Sequence, residues 1–419
     1  MRRSTLCLGL LAGLLSAASA EAWKAARIED RIDNAAELLR GCEQRRALAG
    51  QQEAADGSGP ASACAMAPID ERLRLAKPAV WAMHAPPGRD QLFATVNLPY
   101  PGLLVSSDGG ETWHWRHLFV DGYNRDRSLL LRGMDSRDGL LAIASEGGIL
   151  LSRDAGYTFT TALEGRPFTA VAISPRCSRV LVAGGDATSV VSTDGGATWS
   201  ELGFSRFLRE LHTSNPHLVD HITSLGFDPG APERVYVGTG SHLYRLVLDG
   251  PNARRWQAME GTSAGRVHDD STVYNIAIGS RFMISTCNGV YFLRRGDEDL
   301  ARDQARVEWG KFRDKAFAGR GVGGPKGNLR SYFVSEDPDE PDRILVADFA
   351  GLYEGRSEGG AMRWQRVHEL PYYSPGAGYP EYTAIAWTRA GEAVVGSRYG
   401  GIFVQRPERG ATEPSCFLR

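Results

Sequence analysis

The chain has 419 residues, of which 42% are hydrophobic, enough to bury one large or two ordinary cores. Its formal net charge is −2 and no run of Lys or Arg stands out, which argues against a nucleic-acid-binding protein. Glycine is abundant at 49 residues, as expected for a fold of many short strands joined by turns.

The N-terminus has the pattern of a secretory signal peptide. Arg2 and Arg3 supply a basic start, an apolar stretch runs from Leu6 to Leu15, and small residues at 18–20 form a cleavage site. The apolar stretch is too short for a stable transmembrane helix, and no later segment has the pattern of one. We therefore predict that residues 1–20 are removed, that the mature chain starts near Glu21, and that the protein is periplasmic or secreted.

Residues 21–67 are predicted to form a helix followed by a linker. Between residues 23 and 49, apolar side chains recur at roughly helical spacing, namely Ile28, Ile32, Ala35, Leu39 and Cys42. Residues 51–67 are rich in Ala, Gly, Ser and Pro, the composition of a linker. The helix is expected either to pack on the domain that follows or to bind a partner.

Cysteines are few and irregularly spaced. Of the six, Cys7 lies in the predicted signal peptide, so an odd number remains and at least one thiol has no partner within the chain. No Cys-x-x-Cys pair is present, which leaves redox and structural zinc roles poorly supported. We expect one disulfide among the three cysteines of the terminal segments, Cys42, Cys64 and Cys416.

One eight-residue pattern occurs three times in register, at 106–113, 152–159 and 192–199. It has Ser, Asp, Gly and Thr at alternate positions and ends in Trp or Phe, and its copies lie about 46 and about 40 residues apart, the length of one propeller blade. The Asp carboxylate can accept hydrogen bonds from its own turn, and the Gly supplies a positive φ. Because these are structural tasks, Asp108, Asp154 and Asp194 are predicted to stabilise the fold rather than to bind or catalyse.

At these residues the chain resembles the Asp-box family, also called bacterial neuraminidase repeats. That family includes sialidases, sortilin-type receptors, xyloglucan hydrolases and the photosystem II stability/assembly factor-like proteins. The resemblance implies a β-propeller with the boxes between the outer strands, on the side away from the usual ligand face. It does not imply sialidase activity, because sialidases have a Phe/Tyr-Arg-Ile-Pro-like segment early in the chain and this sequence has none. In size and export the chain is most similar to the photosystem II assembly factor-like group, whose propellers bind without catalysing.

A looser blade pattern covers the rest of the chain. Predicted inner strands span 168–173, 222–227, 273–278, 329–334 and 382–387, and seven predicted third strands start at Gly102, Gly148, Ser189, His242, Gly289, Gly351 and Gly401. We therefore predict an all-β fold in which residues 68–419 form a seven-bladed β-propeller of four-stranded antiparallel blades, preceded by one N-terminal helix. The last blade lacks a fourth strand of its own, so either residues 415–418 or a segment before residue 78 is expected to complete it.

Several long polar loops are predicted to surround the mouth of the central channel. They combine guanidinium groups, imidazoles and aromatic faces, which suit anionic or hydroxyl-rich ligands. The alternative is that these loops are polar only because they are exposed. The predicted ligand-binding residues are Arg127, His221, His268, Arg330, Tyr373, Tyr382, Arg398 and Tyr399.

Catalysis and metal binding have weak support in the sequence. Asp269 and Asp270 could supply one half of a carboxylate pair for glycoside hydrolysis, but no second acid is identifiable, so no catalytic residue is assigned. His217 and His221 would suit a metal ion only if their loop were helical. Neither a metal nor a cofactor is predicted.

These observations favour an exported, non-catalytic propeller that binds a protein or glycan ligand at the channel mouth, with assembly of an envelope complex as one role. An acidic ligand fits the arginines, and neither a nucleic-acid partner nor a transmembrane anchor is expected. The alternative is an enzyme, a polysaccharide-active glycoside hydrolase or lyase that uses the same mouth.

Overall fold

Seven sheets pack against one another in a closed ring. The inner strand of each sheet contacts the inner strand of the next, and that of the seventh contacts that of the first. The prediction of a seven-bladed β-propeller is therefore confirmed. The structure is a computed structural model that describes residues 22–32, 79–88, 90–97, 101–118, 130–186, 188–211, 220–248, 254–259, 272–286, 289–297, 310–312, 331–348, 351–359, 361–370, 381–398 and 400–406.

Each blade has four strands in antiparallel order, numbered here along the chain, and the sheet of the first blade has a fifth, parallel strand that is described below. The inner strands are β3 (Val80–His84), β7 (Leu131–Arg137), β11 (Phe168–Ile173), β15 (Ile222–Asp228), β19 (Val273–Ile278), β23 (Ser331–Glu336) and β27 (Tyr382–Trp387). The second strands are β4 (Leu92–Val96), β8 (Leu140–Ser145), β12 (Leu181–Gly185), β16 (Ala231–Thr239), β20 (Arg281–Thr286), β24 (Arg343–Asp348) and β28 (Ala393–Ser397). The third strands are β5 (Gly102–Ser106), β9 (Gly148–Ser152), β13 (Ser189–Ser192), β17 (Leu243–Val247), β21 (Gly289–Arg294), β25 (Gly351–Glu358) and β29 (Gly401–Arg406).

The outer strands vary most in length. Six of them follow their own blade in sequence, namely β6 (Thr112–His117), β10 (Thr160–Glu164), β14 (Ser200–Glu201), β18 (Arg255–Ala258), β22 (Gly310–Lys311) and β26 (Ala361–Glu369). The outer strand of the seventh blade is instead β1 (Ala22–Ala25), from the other end of the chain. Helix α1 (Phe204–Leu211) lies in the connection between the third and fourth blades.

Apolar side chains fill every interface between neighbouring blades. Strand β8 is buried along its whole length, because both of its faces pack against another sheet. Seven clusters of buried apolar residues correspond to the seven interfaces; the cluster between the seventh and first blades, for example, joins Val80 and Leu92 to Val394 and Ile402. The continuous apolar runs of the middle strands therefore follow from burial on both sides.

Residues 22–32, here called the N-terminal strap, close the ring. Strand β1 pairs antiparallel with β29, and β2 (Arg27–Ile32) then pairs in parallel with β6 of the first blade. The strap thus supplies the missing fourth strand of the last blade, as predicted for a segment before residue 78, and lies before the predicted start of the propeller at residue 68.

The predicted N-terminal helix is wrong for residues 23–32, which are strands. Strand β29 would otherwise leave one row of backbone N–H and C=O groups unpaired, and β1 satisfies them. A helix with Ile28 and Ile32 on one face would not provide hydrogen-bond partners for these backbone groups of β29. The rest of the predicted helix and the linker, and the cysteines Cys42, Cys64 and Cys416, lie outside the described residues.

The antiparallel order gives each blade two distinct ends. Loops that enter the inner strands, and turns between second and third strands, lie at one end, here called the mouth end. Turns between third and outer strands lie at the opposite end, here called the box end. No helix among the described parts of the chain is long and apolar enough to cross a membrane.

Candidate ligand-binding site at the mouth end

The three repeated motifs lie at the box end and form nearly identical turns. In the second copy, Asp154 Oδ1 accepts hydrogen bonds from Ser152 Oγ at 2.7 Å and from the backbone N–H of Thr158 at 2.9 Å, while Oδ2 accepts one from Thr158 Oγ1 at 2.6 Å. Ser152 Oγ accepts a bond from the backbone N–H of Gly156 at 2.7 Å. Gly156 has φ +88°, a conformation that disfavours a side chain.

The hydrogen bonds of each box lower the pKa of its carboxyl group. For Asp194 the donors are the side chain and backbone of Thr198 and the hydroxyl of Ser192, which bring the pKa to about 2. For Asp108 and Asp154, partial burial acts to raise the pKa, and the hydrogen bonds outweigh it so that the net shift is downward. All three carboxylates are therefore ionised at neutral pH and engaged within their own turns.

The boxes are also joined from blade to blade. Arg116 of the first blade donates to the carbonyl of Ala155 in the second box and lies 3.8 Å above the ring of Tyr157. Arg153 of the second box donates to the carbonyl of Gly195 in the third. The boxes of the first three blades are thus joined to one another by polar contacts.

The predicted ligand-binding residues fall into two groups. His221, Tyr382 and Arg398 belong to the described residues, and the structure places them in three different surroundings. The others, together with the two candidate acids, lie outside the described residues, namely Arg127, His268, Arg330, Tyr373, Tyr399, Asp269 and Asp270.

Every inner strand has a bulge immediately after its first residue, near the mouth end. The register against the second strand shifts at this point in all seven blades, and a bulge redirects the side chain that it carries. In three blades the bulged residue is a threonine. Thr383 donates to the carbonyl of Val80 at 2.6 Å, and Thr223 donates to that of Val273 at 2.5 Å. Thr169 makes the same contact with Ile222. In these three blades the threonine therefore joins its own blade to the next one.

In the first two blades the bulge carries functional groups instead. Trp81 and Arg132 occupy this position, and the Trp81 ring contacts both Arg132 and Arg398, the residue that follows β28. The guanidinium carbon of Arg398 lies 4.3 Å from the centre of the Trp81 ring, and that of Arg132 lies 4.9 Å from it. With the partner acids Glu146 and Glu381, these residues form what is here called the Arg–Trp cluster.

The Arg–Trp cluster is well ordered by ion pairs and only partly exposed. Arg132 Nη2 lies 2.5 Å from Glu146 Oε1, and Arg398 Nη1 lies 2.9 Å from Glu381 Oε2. The side chains of Arg132 and Arg398 are 29% and 30% exposed, so the guanidinium groups reach solvent while their stems are packed. A cation–π contact with Trp81 and a carboxylate partner hold the guanidinium groups of Arg132 and Arg398 each in one orientation.

This arrangement can recognise a negatively charged group. Within the described residues, Arg132 Nη1 has no hydrogen-bond partner and Arg398 Nε is buried without one. An incoming carboxylate can take bonds from the exposed guanidinium edges or displace Glu146 and Glu381. Neither Trp81 nor Arg132 was predicted as a site residue, because the bulge that directs them to the mouth end is set by sheet register rather than by a local motif.

His221 lies on a different side of the mouth end. Its Nδ1 is 2.8 Å from Asp186 Oδ1, and both side chains are more than half exposed. The adjacent Asp220 is buried and accepts bonds from Thr239 Oγ1 at 2.5 Å and from His242 Nδ1 at 3.2 Å. Burial and the neighbouring Asp220 also raise the pKa of Tyr244. These residues join the third and fourth blades and are not part of the Arg–Trp cluster.

Tyr382 is a core residue rather than an exposed aromatic surface. It is the first residue of β27 and is fully buried, and its hydroxyl is hydrogen-bonded to His368 Nδ1. Burial raises the pKa of Tyr382. Its neighbour Thr383 lies at the bulge and is half-buried.

No metal centre is evident in the described ranges: no three His, Cys, Asp or Glu side chains there are grouped so as to hold an ion. The one described cysteine, Cys177, is half-buried in the turn between β11 and β12.

Residues 190–201 match the family model for the BNR/Asp-box repeat. This range contains the third copy of the eight-residue pattern, so the resemblance to Asp-box propellers is confirmed. No curated protein sequence matches the chain.

Several solved propellers share the fold at low sequence identity. YCF48 from Cyanidioschyzon merolae is 14% identical with a TM-score of 0.55, and the match covers 80% of this chain and 97% of that one. YCF48 bound to a D1 peptide is also 14% identical, with a TM-score of 0.54 and coverage of 80% and 95%. An ancestral GH74 enzyme is 15% identical with a TM-score of 0.51, covering 80% of this chain and 45% of that one. Such likeness shows the fold alone.

Proposed function

We propose that this protein is an exported, non-catalytic propeller that binds an acidic protein segment or a carboxylated glycan at its mouth end, and that it aids assembly of an envelope complex. The observation that carries the proposal is the Arg–Trp cluster. Two guanidinium groups from different blades converge there on one tryptophan ring.

The cluster differs from the three blades that have threonine at the bulge. At the same bulge, Thr169, Thr223 and Thr383 join neighbouring blades through a hydroxyl group. Trp81 and Arg132 have no hydroxyl group to make that contact. They place an aromatic ring and a charge near solvent instead. Local exceptions to a stabilising pattern are expected where a site is needed.

One solved propeller of the same fold supports a binding role, and the GH74 enzyme of the same fold keeps catalysis as the alternative. YCF48 has been solved with a peptide bound, so a propeller of this size can bind a peptide. The paired arginines of the present chain suit a segment that carries carboxylates. Arg330, Tyr373 and Tyr399 stay predicted ligand-binding residues outside the described part of the chain.

Replacing Arg132 and Arg398 together by glutamine is expected to weaken binding at least about tenfold. Hydrogen bonds to charged groups contribute about 1.5–3 kcal/mol each, and about 1.4 kcal/mol corresponds to a tenfold change in affinity. The measurement is fluorescence anisotropy with a labelled Glu-rich peptide and, separately, with an oligogalacturonate. The two probes distinguish a protein ligand from a glycan ligand.

Arg206→Gln is the matched control for this experiment. Arg206 is 80% exposed on α1 and also pairs with a glutamate, Glu210 at 2.8 Å, but it lies outside the Arg–Trp cluster. If the control weakens binding as much as the double variant, general charge is responsible and the site is wrong. Polysaccharide cleavage that is lost in D269N/D270N and kept in the arginine variant would instead favour the enzyme.

The exported protein is expected to begin near Glu21. Cleavage after Ala20 would leave β1, which starts at Ala22, intact for closing the ring. Intact-mass measurement of the exported protein tests this prediction. A retained N-terminus or a lipid adduct would contradict it.

A further inference from the structure

Several inner strands are held at their first residue by a side chain of the preceding blade. Where the bulge carries threonine, its hydroxyl group donates to the backbone carbonyl of the residue that begins the next inner strand. The carbonyls that accept these bonds belong to Val80, Ile222 and Val273. Each contact therefore fixes where the next blade begins at the mouth end.

The start of β7 is held in the same way, but by Asn97, which directly follows β4 of the first blade. Asn97 Nδ2 donates to the carbonyl of Leu131 at 2.8 Å, and the N–H of Leu131 donates to Asn97 Oδ1 at 2.7 Å. Because a backbone N–H only donates and a carbonyl only accepts, these partners fix the orientation of the amide. Asn97 is 6% exposed and Leu131 is fully buried, so both bonds are shielded from water.

The clamp on Leu131 leaves the bulge of the first blade available to another side chain. In the blades described above, the bulge residue must be threonine to make this contact. Here Asn97 makes it from the second strand, so Trp81 can occupy the bulge. The buried Thr95 supports the bulge from the same strand, because its Oγ1 accepts a bond from the N–H of Ala82 at 3.1 Å.

The same clamp fixes the backbone from which Arg132 extends. Arg132 is the next residue after Leu131, and its guanidinium carbon lies 4.9 Å from the centre of the Trp81 ring. Trp81 and Arg132 belong to different blades, so the distance between them depends on contacts that cross the seam between the first and second blades. Binding groups keep a productive geometry only when the surrounding residues hold them in place.

We propose that Asn97 is a positioning residue for ligand binding at the mouth end, an inference that rests on the proposed function. By clamping Leu131, Asn97 holds Arg132 against Trp81, so that the guanidinium groups of Arg132 and Arg398 can act on one anionic ligand together. Asn97 does not bind the ligand, because it is buried and its amide is engaged with Leu131.

A double-mutant cycle in the full chain tests this role. Asn97→Leu keeps a similar volume and removes both bonds to Leu131. The Kd for the labelled Glu-rich peptide is measured by anisotropy and calculated for the folded fraction. We expect N97L to raise the Kd at least about fivefold in the unmodified background and less than about twofold in the R132Q background. The effect should disappear because the arginine that Asn97 positions is absent, whereas a role in stability alone would not depend on Arg132.

Thr169→Val is the matched control, because it removes the corresponding contact between the third and fourth blades. It should leave the Kd unchanged. A loss of affinity as large as that of N97L would show that a loosened ring is responsible and would overturn the proposal.

The remaining outcomes separate the role of Asn97 from the proposed function. If R132Q weakens binding but N97L has no effect, or has the same effect in both backgrounds, Asn97 is not a positioning residue and the site stands. If R132Q/R398Q leaves binding unchanged, the site is wrong and the role of Asn97 is rejected with it. If N97L does not fold, N97S takes its place in the cycle, because its shorter side chain does not reach Leu131 as the amide does.

Discussion

Replacing Arg343 by methionine is expected to lower the free energy of unfolding by about 3–5 kcal/mol. Arg343 is 6% exposed at the start of β24. Its Nη1 lies 3.1 Å from Asp337 Oδ2, and its Nη2 lies 3.2 Å from Glu354 Oε2. Methionine fills much of the same volume but leaves the buried Asp337 without its cation, and it removes one of the two cations of Glu354, whose Oε1 stays paired with Arg356 Nε at 2.6 Å.

The same arginine joins the sixth blade to the seventh. It donates to the carbonyl of Gly391 at 3.1 Å and to the side chain of Gln405 on β29, and it lies 5.0 Å from the ring of Trp387. Since β29 is the strand on which the N-terminal strap closes, the loss of Arg343 should weaken the seam as well as the blade. Urea unfolding followed by circular dichroism measures the change.

Arg363→Met provides the matched control for Arg343. Arg363 lies on β26 of the same blade and pairs with Glu358 at 2.7 Å, but its side chain is 75% exposed. Exposed ion pairs contribute about 0–1 kcal/mol, so this variant should unfold almost like the unmodified protein. An equal decrease in the free energy of unfolding in the two variants would show that the buried network has no special role at the seam.

The propeller could be predicted from the sequence because its signals are local and repeated. Each Asp box is a complete turn within eight residues, and each third strand starts at a glycine or another turn residue before an apolar run. The predicted inner strands at 168–173, 273–278 and 382–387 coincide with β11, β19 and β27. For the inner strand predicted at 329–334, the described part is β23 (Ser331–Glu336).

Ring closure could not be predicted in the same way. The pairing of β1 with β29 joins opposite ends of the chain, and nothing in the residues near Trp23 specifies that partner. The local pattern there is compatible with a helix, and the demand of the seventh blade for a fourth strand overrides it. The prediction correctly required an added strand but did not identify which residues supply it.

The site residues were harder to predict because the side-chain direction in a strand depends on register. Tyr382 and Thr383 are neighbours, yet the first is fully buried and the second lies at the bulge. A shift of one residue in strand register exchanges the side chains that point into the core with those that point away from it. Arg398 was predicted as a ligand-binding residue because it follows a strand in a polar turn, whereas Arg132 and Trp81 lie inside strands that the sequence marks as apolar or mixed.

Replacing Asp154 by alanine is expected to destabilise the fold by about 1–3 kcal/mol and to leave binding unchanged. The substitution removes the acceptor for Ser152 Oγ and for both donors of Thr158. Ser152 Oγ in turn accepts from the buried N–H of Gly156, so the whole turn loses its order. Asp154→Asn keeps one oxygen acceptor and should lose less.

Asp339→Ala is the control for a turn aspartate without such bonds. Asp339 is exposed, and its carboxylate makes no hydrogen bond within the described residues, so its loss should change stability by no more than about 0.5 kcal/mol. Thermal unfolding and anisotropy with the Glu-rich peptide are measured on all three variants. Because Asp154 lies at the box end and the Arg–Trp cluster at the mouth end, a fall in stability without a change in affinity is the expected result. A large loss of affinity in D154A with an unchanged melting temperature would show that the box, rather than the opposite end of the propeller, takes part in binding.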